Sequence, residues 1–226
     1  MRRGIQRLWY RRRVTHLAVQ RLLEARLPAP ASDYTAVEFL AVDLEMTDLD
    51  PRKGEVVSIG YVPVVGTQIP VGEGHAMLVR SAQGVGESAV IHGIHDRDVG
   101  KGLPLDEALV HLIEALTGRV LLLHHRTIDL AFLNRDCRRV FNVPMVVPVV
   151  DTMALERRRL AMRQGHVGRE ELRLYRCRER YNLPSYRSHD ALVDALATAE
   201  LFLAQAAHIA SNGRLSLRKL LRWSRG

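Results

Sequence analysis

Apolar positions along the chain recur with two different periods. The runs at 37–45 and 55–65 are rich in Val and Ile and read as β-strands, with a weaker third strand at 75–79. Residues 104–117 switch to helical spacing through Leu105, Ala108, Leu109, Leu112 and Leu116. A short buried strand at 120–123, a helix at 128–140 and another buried strand at 146–150 follow. Helices at 152–163 and 170–181, and a long one from 189 to about 210, complete the pattern. Three early strands followed by alternating helices and strands predict an α/β sandwich whose sheet begins antiparallel and ends parallel. Before it, Val14, Leu17, Ala18 and Leu22 fall at helical spacing, predicting a helix from about 5 to 26, and PAPAS at 28–32 reads as a linker. The expected organisation is an extension and linker at 1–32, a domain at 33–210 and a short basic segment at 211–226.

Charge changes this picture at one end only. The chain of 226 residues carries a net charge of +8, yet residues 1–30 hold eight arginines against Glu24 alone, a net of +7. The remaining 25 basic and 24 acidic residues leave +1, so a nearly neutral domain bears a cationic extension. Such a helix suits nucleic acid, an anionic membrane surface or a protein partner, or simply a solvated face. Its arginines interrupt any apolar run of signal-peptide type, and no stretch reads as a membrane span of about 20 apolar residues. Cys137 and Cys177 stand far apart without ligand spacing, which argues against a zinc site or a disulfide scaffold and for a reducing, cytoplasmic setting.

Candidate chemistry sits in three stretches. In FLAVDLEMT (39–47), side chains at i and i+2 of a strand share a face, so Asp43 and Glu45 converge at the strand's C-terminal end, the edge where α/β sheets bind ligands. Oxygen ligands of this kind suit Mg²⁺ or Mn²⁺; alone, the pair fits a turn cap and a solvated acid equally well. In LLLHHRTIDLAFLNR (121–135), a buried strand ends at His124 and Thr127 is a credible N-cap. Asp129 then lies in a helical first turn, favoured by the dipole, at the same sheet edge. In YRSHDALVDALATAELF (186–202), His189 and Asp194 are five apart, about 140° around a helix. Both reach one point only if His189 stands outside the helix. Asp194 is flanked by apolar residues and needs a partner, either a metal or an arginine.

In this order the stretches resemble the DEDDh 3′–5′ exonucleases, a group that includes the epsilon subunit of bacterial DNA polymerase III, ribonuclease T and oligoribonuclease. DLEMTDLDP looks most like oligoribonuclease; IHGI (91–94) and the AFL helix look more like epsilon, and VVDTMAL (149–155) resembles the strand-to-helix step between the second and third motifs. The resemblance covers roughly 37–207 and implies a ribonuclease H-like fold, a five-stranded mixed sheet flanked by helices. It implies catalytic roles for Asp43, Glu45, Asp129, His189 and Asp194, with the four acids holding two divalent cations, Mg²⁺ or Mn²⁺, and His189 taking a proton from the attacking water. It places Leu44, Met46, Thr47, His92, Gly93, Ile94 and Phe132 beside the substrate. The implied partner is a single-stranded 3′ end of DNA or RNA, with a polymerase or a second copy of the chain as candidate protein partners. The alternative is a non-catalytic nucleic-acid-binding or polymerase-adaptor protein on the same fold, which would be expected to have lost at least one of these carboxylates.

Overall fold

The computed structural model describes residues 2–81, 100–187, 189–210 and 213–225. Its strands are β1 (Glu38–Met46), β2 (Val56–Val65), β3 (His75–Leu78), β4 (Val120–Leu123) and β5 (Val149–Asp151), in the order β3-β2-β1-β4-β5. β1 runs antiparallel to β2, from Glu38 opposite Val65 to Met46 opposite Val56, and parallel to β4 over Phe39–Ala41. β5 continues the parallel half, with Leu123 opposite Asp151. The antiparallel-then-parallel sheet predicted from the chain is the one observed.

Helices cover both faces because the strands alternate. On one face, Leu40, Val42 and Leu44 join a core built with α2 (Leu17–Glu24), α3 (Leu105–Leu116) and α4 (Arg126–Phe141). On the other, Phe39 and Ala41 meet α5 (Thr152–Gln164), α7 (Ala191–Ile209) and α8 (Leu217–Trp223). Asp43 and Glu45 continue the odd register, so they project toward the α7 face.

Several boundaries differ from the sequence expectation. The predicted helix at 5–26 is two, α1 (Arg2–Arg11) and α2, with β-branched Val14 and Thr15 in the connection. The Arg7 guanidinium seals the pair by donating to the carbonyls of Leu22 (2.6 Å), Leu23 (3.2 Å) and Ala25 (2.8 Å), which α2 leaves open at its C-terminus. Ala18, Val19, Leu22 and Leu23 are buried in the same core as α3. The strand expected from 146 pairs only from 149, because Pro148 has no N–H to give; its carbonyl accepts from Leu121 instead. The helix expected at 170–181 is a 3-10 turn, Glu170–Leu172, followed by the short α6 (Leu174–Glu179). The PAPAS segment is stitched to the C-terminal residues: Leu217 N–H donates to Ser32 O (2.9 Å) and Arg218 N–H to Pro30 O (2.8 Å). By length and composition alone α7, at 19 residues, is apolar enough to cross a membrane, contrary to the sequence reading. It lies across β1 and β2 with Ala195, Ala199, Phe202 and Ala206 buried in the core.

Candidate active site

The three motif stretches meet at the C-terminal end of β1 and β4. On β1, Glu45 is buried and a register shift falls between Glu45 and Met46, ending regular pairing just past the second acid. Thr47 closes the loop that follows: its N–H donates to Glu55 O (3.0 Å) and its hydroxyl accepts from Glu55 N–H (2.9 Å).

The second stretch turns sharply out of β4. His125 adopts a left-handed conformation (φ 71°) and serves as the N-cap of α4, so the helix starts at Arg126 rather than after Thr127 as predicted. Asp151, at the end of β5, fixes this turn: its Oδ1 accepts from His125 N–H (3.0 Å) and from Met153 N–H (3.1 Å), joining the start of α4 to the start of α5. His124 is locked beneath it. Its Nε2–H donates to Leu172 O (2.9 Å), which leaves Nδ1 to accept from the Thr152 hydroxyl (2.8 Å), and burial pulls its pKa down to about 4, so the ring is neutral. Asp129 emerges in the first turn of α4, 5% exposed.

The third stretch meets the geometric condition set by its spacing. His189 stands outside α7 in a left-handed conformation (φ 72°), and its N–H donates to Asp194 Oδ2 (2.9 Å). Asp190 caps the helix by accepting from Leu192 N–H (3.0 Å) and Val193 N–H (3.1 Å). One donor atom each from Glu45, His189 and Asp194 lie within 4.8 Å of one another, a spacing that could hold a metal ion.

Gly60, a residue to which the sequence reading gave no role, permits this meeting. It pairs with Asp43 across β1 and β2, and a Cβ there would lie 2.1 Å from the backbone carbon of Ala191. The first turn of α7 therefore rests on a strand without a side chain, directly across from Asp43. The available signal was a glycine inside a strand rich in Val and Ile, which marks a close backbone approach. Asp151 was likewise missed as a positioning group, although it is a carboxylate ending a buried strand.

Electrostatics report an unbalanced cluster. Burial raises the Asp43 carboxyl well above its ordinary range, and Asp129, Glu45, Asp194 and Asp190 add to it. Asp129 is pushed up to about 8, first by burial, then by the negative charges of Asp151 and Glu45. Asp194 is raised by burial and by Glu45, against the opposing His189 N–H. Among the described residues, no arginine or lysine forms an ion pair with Asp43, Asp129 or Asp194. Carboxylates that repel one another in a partly dry site fit hard divalent cations, the class the oxygen-rich donor set selects.

The expected substrate contacts divide. Leu44 and Phe132 are buried in the core and offer no side-chain surface to a ligand: Leu44 alternates away from Asp43, and Phe132 is covered within α4. Met46 and Thr47 are half-buried at the end of β1. His92, Gly93 and Ile94 lie outside the described residues.

A five-stranded mixed sheet flanked by helices, with acids gathered at the C-terminal ends of its parallel strands β1 and β4, is a ribonuclease H-like fold, and comparison with known proteins agrees. The RNase_T exonuclease family model matches residues 40–202. The PolC-type DNA polymerase III of Thermotoga maritima is 30% identical over 172 residues, covering 76% of this chain but 12% of that protein. The DNA polymerase III subunit epsilon of Treponema pallidum is 28% identical over 172 residues, 76% of this chain and 78% of that one. The nuclease domain of 3′hExo, a DEDDh family member bound to rAMP, superposes with a TM-score of 0.66 at 15% identity, covering 82% of this chain and 99% of that domain. The chain belongs to the DEDDh exonuclease family.

Proposed function

We propose that this protein is a metal-dependent 3′–5′ exonuclease that hydrolyses single-stranded ends of DNA or RNA and releases nucleoside 5′-monophosphates. The observation that carries the proposal is the group of four carboxylates, Asp43, Glu45, Asp129 and Asp194, beside His189 at one sheet edge and with no arginine or lysine paired to Asp43, Asp129 or Asp194 among the described residues. These four side chains would hold two divalent cations, Mg²⁺ or Mn²⁺. When bound, the cations supply positive charge that offsets the anionic diester and the charge that builds up in the transition state.

The chain's own groups do the rest. His189, exposed at the start of α7 with its backbone N–H donated to Asp194, takes the proton from the attacking water at a ring nitrogen. The water oxygen bonds to phosphorus as the bond to the 3′-oxygen of the preceding nucleotide breaks, leaving the phosphate on the released nucleoside's 5′ carbon. Asp151 keeps Asp129 aimed at the site by holding the turn before α4, and Gly60 keeps Asp194 within reach of Asp43. Nucleoside 5′-monophosphate as product accords with the rAMP bound to 3′hExo. The relatives named above are DNA polymerase components, which makes a polymerase the candidate protein partner.

The test is digestion of 5′-labelled and 3′-labelled oligonucleotides, DNA and RNA, with Mg²⁺ or Mn²⁺. The expected result is a ladder shortening from the 3′ end, with 5′-monophosphates as the only small product. Intact oligonucleotides of both kinds, or release of 3′-monophosphates, would overturn the proposal.

A further inference from the structure

Beside His189 and Asp194 opens a cleft of about 340 Å³, inside the range of small-ligand pockets (roughly 300–1,000 Å³). Its far walls carry Tyr175 on α6, Tyr186 in the segment leading to His189, and the arginines Arg173 and Arg178.

Tyr186 is held rigidly. Its hydroxyl donates to Glu200 Oε1 (2.9 Å), and the Arg178 guanidinium sits 4.7 Å from its ring centroid. Arg178 is itself buried and fixed by Glu200 Oε2 (2.7 Å), Ala197 O (2.6 Å) and Pro184 O (2.8 Å). Glu200 belongs to α7, the helix that carries Asp194, so ring and catalytic helix form one rigid unit. Tyr186 nevertheless remains 38% exposed as a residue, and Tyr175, with the Arg176 guanidinium 5.2 Å from its ring, is 45% exposed. A protein that only needed to fill this space would bury such rings. Aromatic faces backed by guanidinium cations at the mouth of an anion-processing site match the chemistry of unpaired nucleobases. A pre-set ring also loses little conformational freedom on binding. Arg173, on the cleft wall, pairs with Glu170 in a solvent-exposed ion pair, which is weak enough to yield to phosphate.

We propose that Tyr186 and Tyr175 form a stacking platform for a nucleobase next to the scissile phosphate, so that the site grips unpaired strand through base faces rather than sequence. This rests on the exonuclease reading above. The experiment compares kcat/KM for a hexanucleotide with kcat/KM for the methyl ester of thymidine 5′-monophosphate, which has one nucleotide and no ring beyond the scissile bond. Tyr186→Ala is expected to lower the ratio of the two by roughly tenfold, through KM, and Tyr186→Phe to keep it at the wild-type value. Metal-free binding of an oligonucleotide carrying 2-aminopurine near its 3′ end gives a second readout: quenching on binding to wild type and Tyr186→Phe, and loss of quenching with Tyr186→Ala. An unchanged ratio and unchanged quenching in Tyr186→Ala overturn the platform. So does an equal loss in Tyr186→Phe, which would assign the effect to the Glu200 hydrogen bond. A wild-type protein that cleaves neither substrate overturns the exonuclease reading, and the quenching measurement still decides the platform.

Discussion

Two buried acidic sites in this molecule have opposite electrostatics. Glu156 on α5 is fully buried, yet its carboxylate is ringed by donors: Arg159 (2.5 Å), Tyr181 (3.0 Å) and Gln205 (3.2 Å). Burial pushes it up, but the hydrogen bond and charge of Arg159, with the hydrogen bonds from Gln205 and Tyr181, together hold it below the usual carboxylate range. Asp129 is almost as buried, has other carboxylates rather than an arginine beside it, and rises to about 8. The first site is complete within the fold and ties α5 to α7 and to the segment after α6. In the second, no arginine or lysine pairs with Asp43, Asp129 or Asp194 among the described residues, and the proposed function supplies the missing charge as cations. A buried acid is therefore a sign of function here when the protein itself has left it without a counter-charge.

The largest effect expected from this contrast is catalytic. Asp43→Asn should lower turnover about a thousandfold or more, the loss of several kcal/mol of transition-state stabilisation. It should leave the melting temperature in metal-free buffer at pH 8 equal or higher, because it removes a desolvated, mutually repelling charge. Glu156→Ala should do the reverse. It strands Arg159, the half-buried Tyr181 hydroxyl and the buried Gln205 amide, and breaking such a pair costs about 3–5 kcal/mol of stability. Thermal unfolding of both variants beside wild type checks the pair. A stable Glu156→Ala together with a strongly destabilised Asp43→Asn would reverse the reading of both sites.

Gly60→Ala comes next. The added Cβ meets the Ala191 backbone at 2.1 Å, so either β2 or the start of α7 must shift. We expect about 3 kcal/mol of destabilisation, and a loss of cation affinity greater than stability alone explains, since Asp194 moves with α7. Calorimetric titration of Mn²⁺ into the folded variant separates the two. Wild-type affinity in a destabilised protein would confine Gly60 to packing.

The residues that were legible in the sequence are those whose signal is local. The two-residue spacing of Asp43 and Glu45 is a property of any strand, and the five-residue spacing of His189 and Asp194 already required a histidine outside its helix. The change of the sheet from antiparallel to parallel followed from where strands gave way to helices. What the sequence hid depends on partners distant along the chain. Gly60 matters because Ala191 lies on it, Asp151 because it reaches back to His125, and Glu156 because Tyr181 and Gln205 converge on it. The cationic extension was open for the same reason. Its arginines suited a nucleic-acid, membrane or protein partner or a solvated helix on the domain, and only the fold shows Leu22 and Leu23 buried in the core with α3 and Arg7 capping α2. Deleting residues 1–30 therefore uncovers core, and cannot serve as a clean measure of nucleic-acid affinity.

The smallest predicted effect tests the contrast by pH. In the folded, metal-free protein the Asp129 carboxyl titrates near 8, far above about 3.9 for an unfolded aspartate. Between these values the native state binds more protons than the unfolded state, so metal-free stability should fall as pH rises from about 4 to about 8. Divalent cations replace those protons. At a hundredfold excess over Kd they should contribute about 2.7 kcal/mol, a rise in Tm of roughly 5–10 °C for a chain of this size. The rise should be larger at pH 8 than at pH 5, where protons compete for the same oxygens. Asp129→Asn should flatten the metal-free pH dependence, while Glu156→Gln, whose carboxylate is already held ionised, should not. A Tm gain from Mn²⁺ that is equal at both pH values would mean that the repulsion at this sheet edge is relieved without a cation, and the distinction between the two acidic sites would fail.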